Sequence, residues 1–157
     1  MGGVAKGIEI AQECHIVNAL PPIDIAGSGT SDWIHMENAG HITFLVMQGV
    51  GSSATITINN ATSAAGSGAA TMAFDYYLET TANGDTLGAK TAATTAGVAL
   101  NDNDDTMMII EIDASQLPDG SDWINLTTTT TTACIIQVTA ILSGYRYQSD
   151  QNITAIA

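Results

Sequence analysis

Three features of this 157-residue sequence predict an all-β fold, an antiparallel β-sandwich or jelly-roll-like single domain with an N-terminal arm. Several segments combine β-branched and aromatic residues over strand lengths, with almost no helical competitor. Two of them alternate apolar and polar residues, as a sheet with one wet side requires. Short runs of Gly, Asn and Asp separate them, as in sandwiches and jelly rolls. With 45% hydrophobic residues, the chain can form one core that buries roughly 70% of its unfolded surface.

Residues 1–22 end in Leu20-Pro21-Pro22. A double proline removes two ladder donors and stops a helix or a central strand, so this segment is expected to leave the sandwich as an arm. Its GIEIAQECHIVNAL stretch fits a short helix or an extended strand, and periodicity does not separate the two. The sandwich itself is expected over 23–147. HITFLVMQ (41–48) is its first convincing strand, and TITIN (55–59) sets Ile56 and Ile58 on one face with Thr55 and Thr57 on the other. MAFDYYLE (72–79) follows a Gly/Ala/Ser linker. Residues 80–100 contain an Asn83-Gly84 turn but no strong strand, and a loop of that length carries an interaction or stays mobile. TMMIIEID (106–113) opposes Ile110 and Ile112 to Glu111 and Asp113, and the run 127–147 completes the domain. Residues 148–157 read as a tail that needs a partner to be ordered.

The tetrapeptide SDWI occurs twice, at Ser31–Ile34 and Ser121–Ile124, and holds both tryptophans. Each copy follows a small polar turn and precedes a strand. The expected role is therefore a framework corner, with Asp32 and Asp122 closing turns and Trp33 and Trp123 sealing the edge of the core. The similarity stops within a few residues, which argues against a duplicated domain.

Only Lys6, Lys90 and Arg146 are basic against sixteen carboxylates, a formal charge of −13. Such a chain repels phosphate backbones, so nucleic acid is not expected as a direct partner. No apolar run approaches the 18 or so residues of a membrane span, and the first residues lack the apolar region of a signal peptide. Cys14 and Cys134 lack CxxC spacing and read as two reduced thiols.

Chemistry-bearing motifs are weak. Asn101-Asp102-Asn103-Asp104-Asp105 concentrates oxygen ligands, but Met107 and Asp113 stand where a calcium loop counted from Asp102 needs Gly and Glu. It reads as an acidic turn. His15, His35 and His41 show neither HxH nor HExxH spacing, and Ser52 and Ser53 lack a nucleophile elbow. Asp75 and Glu79 are a pair of acids such as any acidic sheet protein carries. Asn60, Asn125 and Asn152 match the glycosylation pattern by chance in a Thr-rich chain. No catalytic, cofactor or metal residue is assigned, and the protein is not expected to be an enzyme.

GIEIAQECHIVNALPPIDI, DWIHMENAGHITFLVMQGV, AFDYYLETTANGDTLGAKTAATTAG and AILSGYRYQSDQ together resemble small virion structural proteins of tailed bacteriophages and prophages. The resemblance covers most of the chain and implies a capsid decoration, or cement, protein. Such a protein is made in the host cytoplasm and sits on the outer face of an icosahedral head, commonly as trimers bound to the major capsid protein. A tail or neck component is the nearest alternative. A carbohydrate-binding module that stacks sugars on Trp33, Trp123, Tyr76 or Tyr77 is a reading from another class. In the decoration reading the arm is the clamp: Ile8, Ile10, Ile16, Val17 and Leu20 are an apolar load expected to be buried against another chain.

Overall fold

The computed structural model describes residues 7–101, 104–147 and 154–156. A four-residue helix, Ile10–Glu13, leads into twelve strands: β1 (His15–Ile25), β2 (Ser28–Thr30), β3 (Ile34–His35), β4 (His41–Gly51), β5 (Thr55–Ala61), β6 (Ala70–Met72), β7 (Phe74–Leu78), β8 (Thr91–Ala93), β9 (Val98–Ala99), β10 (Thr106–Asp113), β11 (Trp123–Thr129) and β12 (Cys134–Ser143). They form two antiparallel sheets. The first runs β1-β12-β4-β10-β7-β8, and the second runs β2-β11-β5-β6 with β3 added to β11 and β9 to β5. The fold is an all-β sandwich.

Alternation explains the core. From β4, Ile42, Phe44 and Val46 point inward, joined by Met108, Ile110 and Ile112 of β10 and by Ile136, Val138 and Leu142 of β12. The second sheet meets them with Ile56 and Ile58 of β5 and Ile124 and Leu126 of β11. Burying each such side chain contributes about 1.5–3 kcal/mol before the entropy of ordering is subtracted.

Two predicted strands are each divided between the sheets. The 72–79 run breaks at Ala73, so that β6 pairs with β5 in the second sheet while β7 pairs with β10 in the first. The 127–147 run breaks at the 130–133 turn, where β11 ends and β12 begins. Gly51 stands at that corner with φ +139, opposite Cys134 at a register shift. An added Cβ would lie 2.5 Å from the Ala133 carbonyl oxygen, so only glycine fits without displacing backbone. The expected loop at 80–100 supplies β8 as the far edge of the first sheet and β9 beside β5.

The expected arm is corrected. Its boundary at residue 22 falls inside β1, which forms an edge strand paired antiparallel with β12 from His15↔Leu142 to Ile25↔Cys134. Proline is tolerated there because an edge strand needs donors on one side only, and the register shifts between Asn18 and Leu20 and between Leu20 and Ile23 accommodate Pro21 and Pro22. Val17 and Leu20 are buried in the domain's own core, so they are not available to a second chain. Ile8, Ile10 and Ile16 are 76%, 47% and 51% exposed. Helix and strand, left open for this segment by periodicity, both occur in it.

The end of the expected tail lies against the second sheet. Ile156 bridges Ile34, and the His35 amide donates to the Ala155 carbonyl at 2.8 Å. Residues 148–153 of the tail lie outside the described residues, as do residues 1–6 with Lys6, the Asn152 motif, and Asp102 and Asn103 of the acidic run.

Candidate functional site

The two SDWI copies meet. Ile34 pairs with Ile124 and His35 with Trp123 where β3 joins β11, so the repeated tetrapeptides form one antiparallel corner. Ser31 ties it: the Leu126 amide donates to its hydroxyl at 3.0 Å, and its own amide donates to the Leu126 carbonyl at 2.9 Å. Asp122 accepts the Met36 amide on its backbone carbonyl at 2.7 Å and approaches His35 Nε2 with its carboxylate at 3.5 Å. The tryptophan rings are both half-buried. Trp33 lies against Gly66, whose added Cβ would be 3.0 Å from the ring, and Trp123 stacks on His35 at 4.4 Å between centroids. Each ring therefore has a face occupied by its own chain.

Other motif residues are occupied structurally. The Ser53 hydroxyl donates to the Leu100 carbonyl, and His41 Nδ1 lies 2.9 Å from Asp113. Asn60 and Asn125 are buried; Asn60 donates to the Ala70 carbonyl, and the Asn125 side-chain oxygen accepts from Asn59 at 2.9 Å. Cys134 is fully buried, and burial pushes its thiol pKa up, with Asp24 and Asp104 adding to the shift. Asp75 binds Lys90 at 2.9 Å, and that hydrogen bond raises the Lys90 pKa above its ordinary value. Asp75 and Glu79 stand four residues apart, about 13 Å along an extended chain, beyond the spacing of paired catalytic acids. Among the described residues no group of three His, Cys, Asp or Glu side chains is placed to hold a metal ion.

A different surface stands out. On the outer side of the first sheet, the register places Leu45 of β4 beside Ile109 of β10, and Ile109 beside Tyr77 of β7. The next row sets Met47 beside Met107 on one side and Gln137 on the other. In the opposite direction Thr43 is flanked by Ile141, which pairs with Ile16. Met47 and Ile135 are 52% and 44% exposed. An outer face with this much aliphatic surface calls for a cover, because soluble monomers rarely expose contiguous apolar patches.

This face ends in a groove of about 410 Å³. Met47, Met107 and Ile135 are among its apolar lining residues, and Glu79, Asn83 and Asp105 among its polar ones. Glu79 is 4% exposed; one carboxylate oxygen accepts the Met107 amide at 3.1 Å, and the other is buried with no hydrogen-bond partner. Gly84 covers that second oxygen so closely that an added Cβ would stand 2.7 Å from it. The backbone here is held by the Asn83 amide on the Asp105 carbonyl at 3.0 Å and by Asn101, whose side-chain amide donates to the Glu79 carbonyl at 3.2 Å. Asn83 and Asp105 both take left-handed φ, +52 and +54, a conformation these two residue types tolerate. Among the described residues no lysine or arginine lines the groove. The arrangement is a slot that combines apolar side chains with two carboxyl groups, those of Glu79 and Asp105.

No protein-family model matches the chain, and no curated protein matches it in sequence.

The expected docking residues are thus only partly brought together. Ile16 joins the outer face of the first sheet through β12, whereas Val17 and Leu20 point into the core. The face itself had a signal in the sequence. FLVM (44–47) and MMII (107–110) are continuous apolar runs, and a stretch of strand that is apolar at every position has two sides to cover.

Proposed function

We propose that this protein is a structural docking module, a decoration or cement protein of a tailed-phage head that binds the major capsid protein. The observation that carries the docking reading is the outer face of the first sheet, where Leu45, Met47, Ile109, Ile141 and Ile16 spread apolar side chains across β1, β12, β4 and β10, with Thr43, Thr139, Gln137 and Glu111 among them. The resemblance of several stretches to virion structural proteins supplies the capsid. The charge distribution supports it as well: a chain with a formal charge of −13 suits a position outside the shell, away from packaged nucleic acid. Many copies on a repeating lattice multiply a modest contact into firm attachment. The action is mechanical, tying neighbouring capsomers together.

The test is co-sedimentation of the purified protein with expanded capsid shells that lack it. Saturable binding that a charge at Leu45 abolishes is the expected result. Failure to bind shells, with the fold intact by circular dichroism, would remove the capsid as partner.

A further inference from the structure

We infer that the acidic groove is the receptor for Arg146 and Tyr147 of a second copy of this chain, so that copies join head to tail. The inference rests on the docking reading only for its setting, and it concerns self-assembly where that reading concerns the shell.

The groove favours one kind of occupant. Its Met47, Met107 and Ile135 side suits the stem of a long side chain or an aromatic ring, and its Glu79 and Asp105 side attracts a cation. Asp105 presents the exposed carboxylate that an incoming positive charge can reach, whereas the second Glu79 oxygen lies sealed beneath Gly84. Arginine fits such a slot best, because its guanidinium is planar, weakly hydrated and matched to carboxylates.

The chain carries few candidates. Of its three basic residues, Lys90 is held by Asp75 at 2.9 Å and Lys6 lies outside the described residues. Arg146 is exposed and makes no ion pair among the described residues. Beside it Tyr147 is 64% exposed, the most open aromatic side chain among the described residues. Arginine and tyrosine are the residue types that most often anchor protein interfaces.

Position excludes self-occupancy. The groove takes Ile135 and Gln137 from the start of β12, whereas Arg146 follows its end and lines a hollow with Glu37, Gly40 and Gly144 at the opposite end of the sheet. Seven residues of extended strand from Gln137 to Gly144 separate the two ends by about 23 Å. A contact between two different patches is heterologous, and repeated by rotation it closes into a ring such as a trimer. The negative charge of the copies opposes this only over short range, since salt at physiological strength screens exposed charges beyond about 8 Å.

The experiment is sedimentation velocity on the full chain and two exposed-site variants, Met47→Arg in the groove and Arg146→Glu at the other end. Each alone is expected to weaken association at least tenfold with an unchanged melting curve. Mixed one to one, they retain a single sound junction and should give a heterodimer but no ring. A wild-type protein that stays monomeric at its highest soluble concentration overturns the inference, and so does an oligomer that neither variant disturbs. Shell binding by a protein whose ring is lost would leave the docking reading standing, while a ring that ignores shells would leave this one.

Discussion

The two outer faces of the sandwich are built on the same strand geometry and dressed oppositely. On the second sheet, Thr57 stands beside Thr127 and Asn59 beside Asn125, and Asn59 donates at 2.9 Å to both Asn125 and Thr127. Side-chain amides and hydroxyls there satisfy one another across the strands. On the first sheet, the equivalent positions are Leu45, Ile109, Met47 and Met107, apolar pairs that cannot form such a ladder. One face is finished in water and the other is not. The difference shows that outward-facing residues of a sheet follow the surface they are to meet, since backbone pairing places the same demand on both.

The largest effect expected from this contrast is on attachment. Leu45→Glu and Ile109→Glu should each reduce shell binding by about 30-fold or more, the effect of losing a hot-spot residue, while Thr57→Glu on the other face should leave it unchanged. Co-sedimentation across a concentration series measures all three. Equal losses at Thr57 would show that the faces do not differ in function.

Next comes β1, whose residues divide between an outer face and the core. Leu20→Ala should cost about 3 kcal/mol in urea denaturation because the side chain is buried, and Ile16→Ala less than about 1 kcal/mol because it is half exposed. Deleting residues 2–20 should prevent stable folding, since it removes much of β1, the strand paired to the outer edge of β12. A deletion that keeps its native melting curve would restore the arm.

The polar ladder gives a smaller effect. Asn59→Ala should destabilise by about 1–2 kcal/mol, since it leaves the buried Asn125 oxygen without its donor. Smallest of all is a gain. Thr128 lies beneath the ladder, fully buried, with no hydrogen-bond partner for its hydroxyl. Thr128→Val should raise stability by about 1 kcal/mol, read as a higher urea midpoint at constant slope.

Strands at the centre of the sandwich were legible because burial on one side stamps a period of two on the sequence. The alternating segment 106–113 has the bounds of β10, and 55–59 lies inside β5. The places where the chain changes sheet were not, because Ala73 and the 130–133 turn interrupt runs whose composition stays the same on either side. Pro21-Pro22 misled for a physical reason: proline bars a central strand, and sequence alone does not tell a centre from an edge. The groove was hidden for another reason. Glu79, Asn83 and Asp105 come from separate segments and acquire meaning only when Met107 pairs opposite Glu79.

The pairing of β1 with β12 also sets a timetable. Among the described residues, β1, the first strand of the first sheet to be synthesised, pairs only with β12, the last. Until residues 134–142 have been synthesised, Val17 and Leu20 have no neighbouring strand on which to settle. Contacts across so much sequence close slowly, in milliseconds to seconds for all-β domains, and they leave strand edges open meanwhile. The two prolines on β1 then act before the fold exists, because an edge lacking two amide donors is a poor template for a stray chain. A nascent chain arrested short of Cys134 should remain protease-sensitive throughout, and release of the last strand should protect β1 and β12 together.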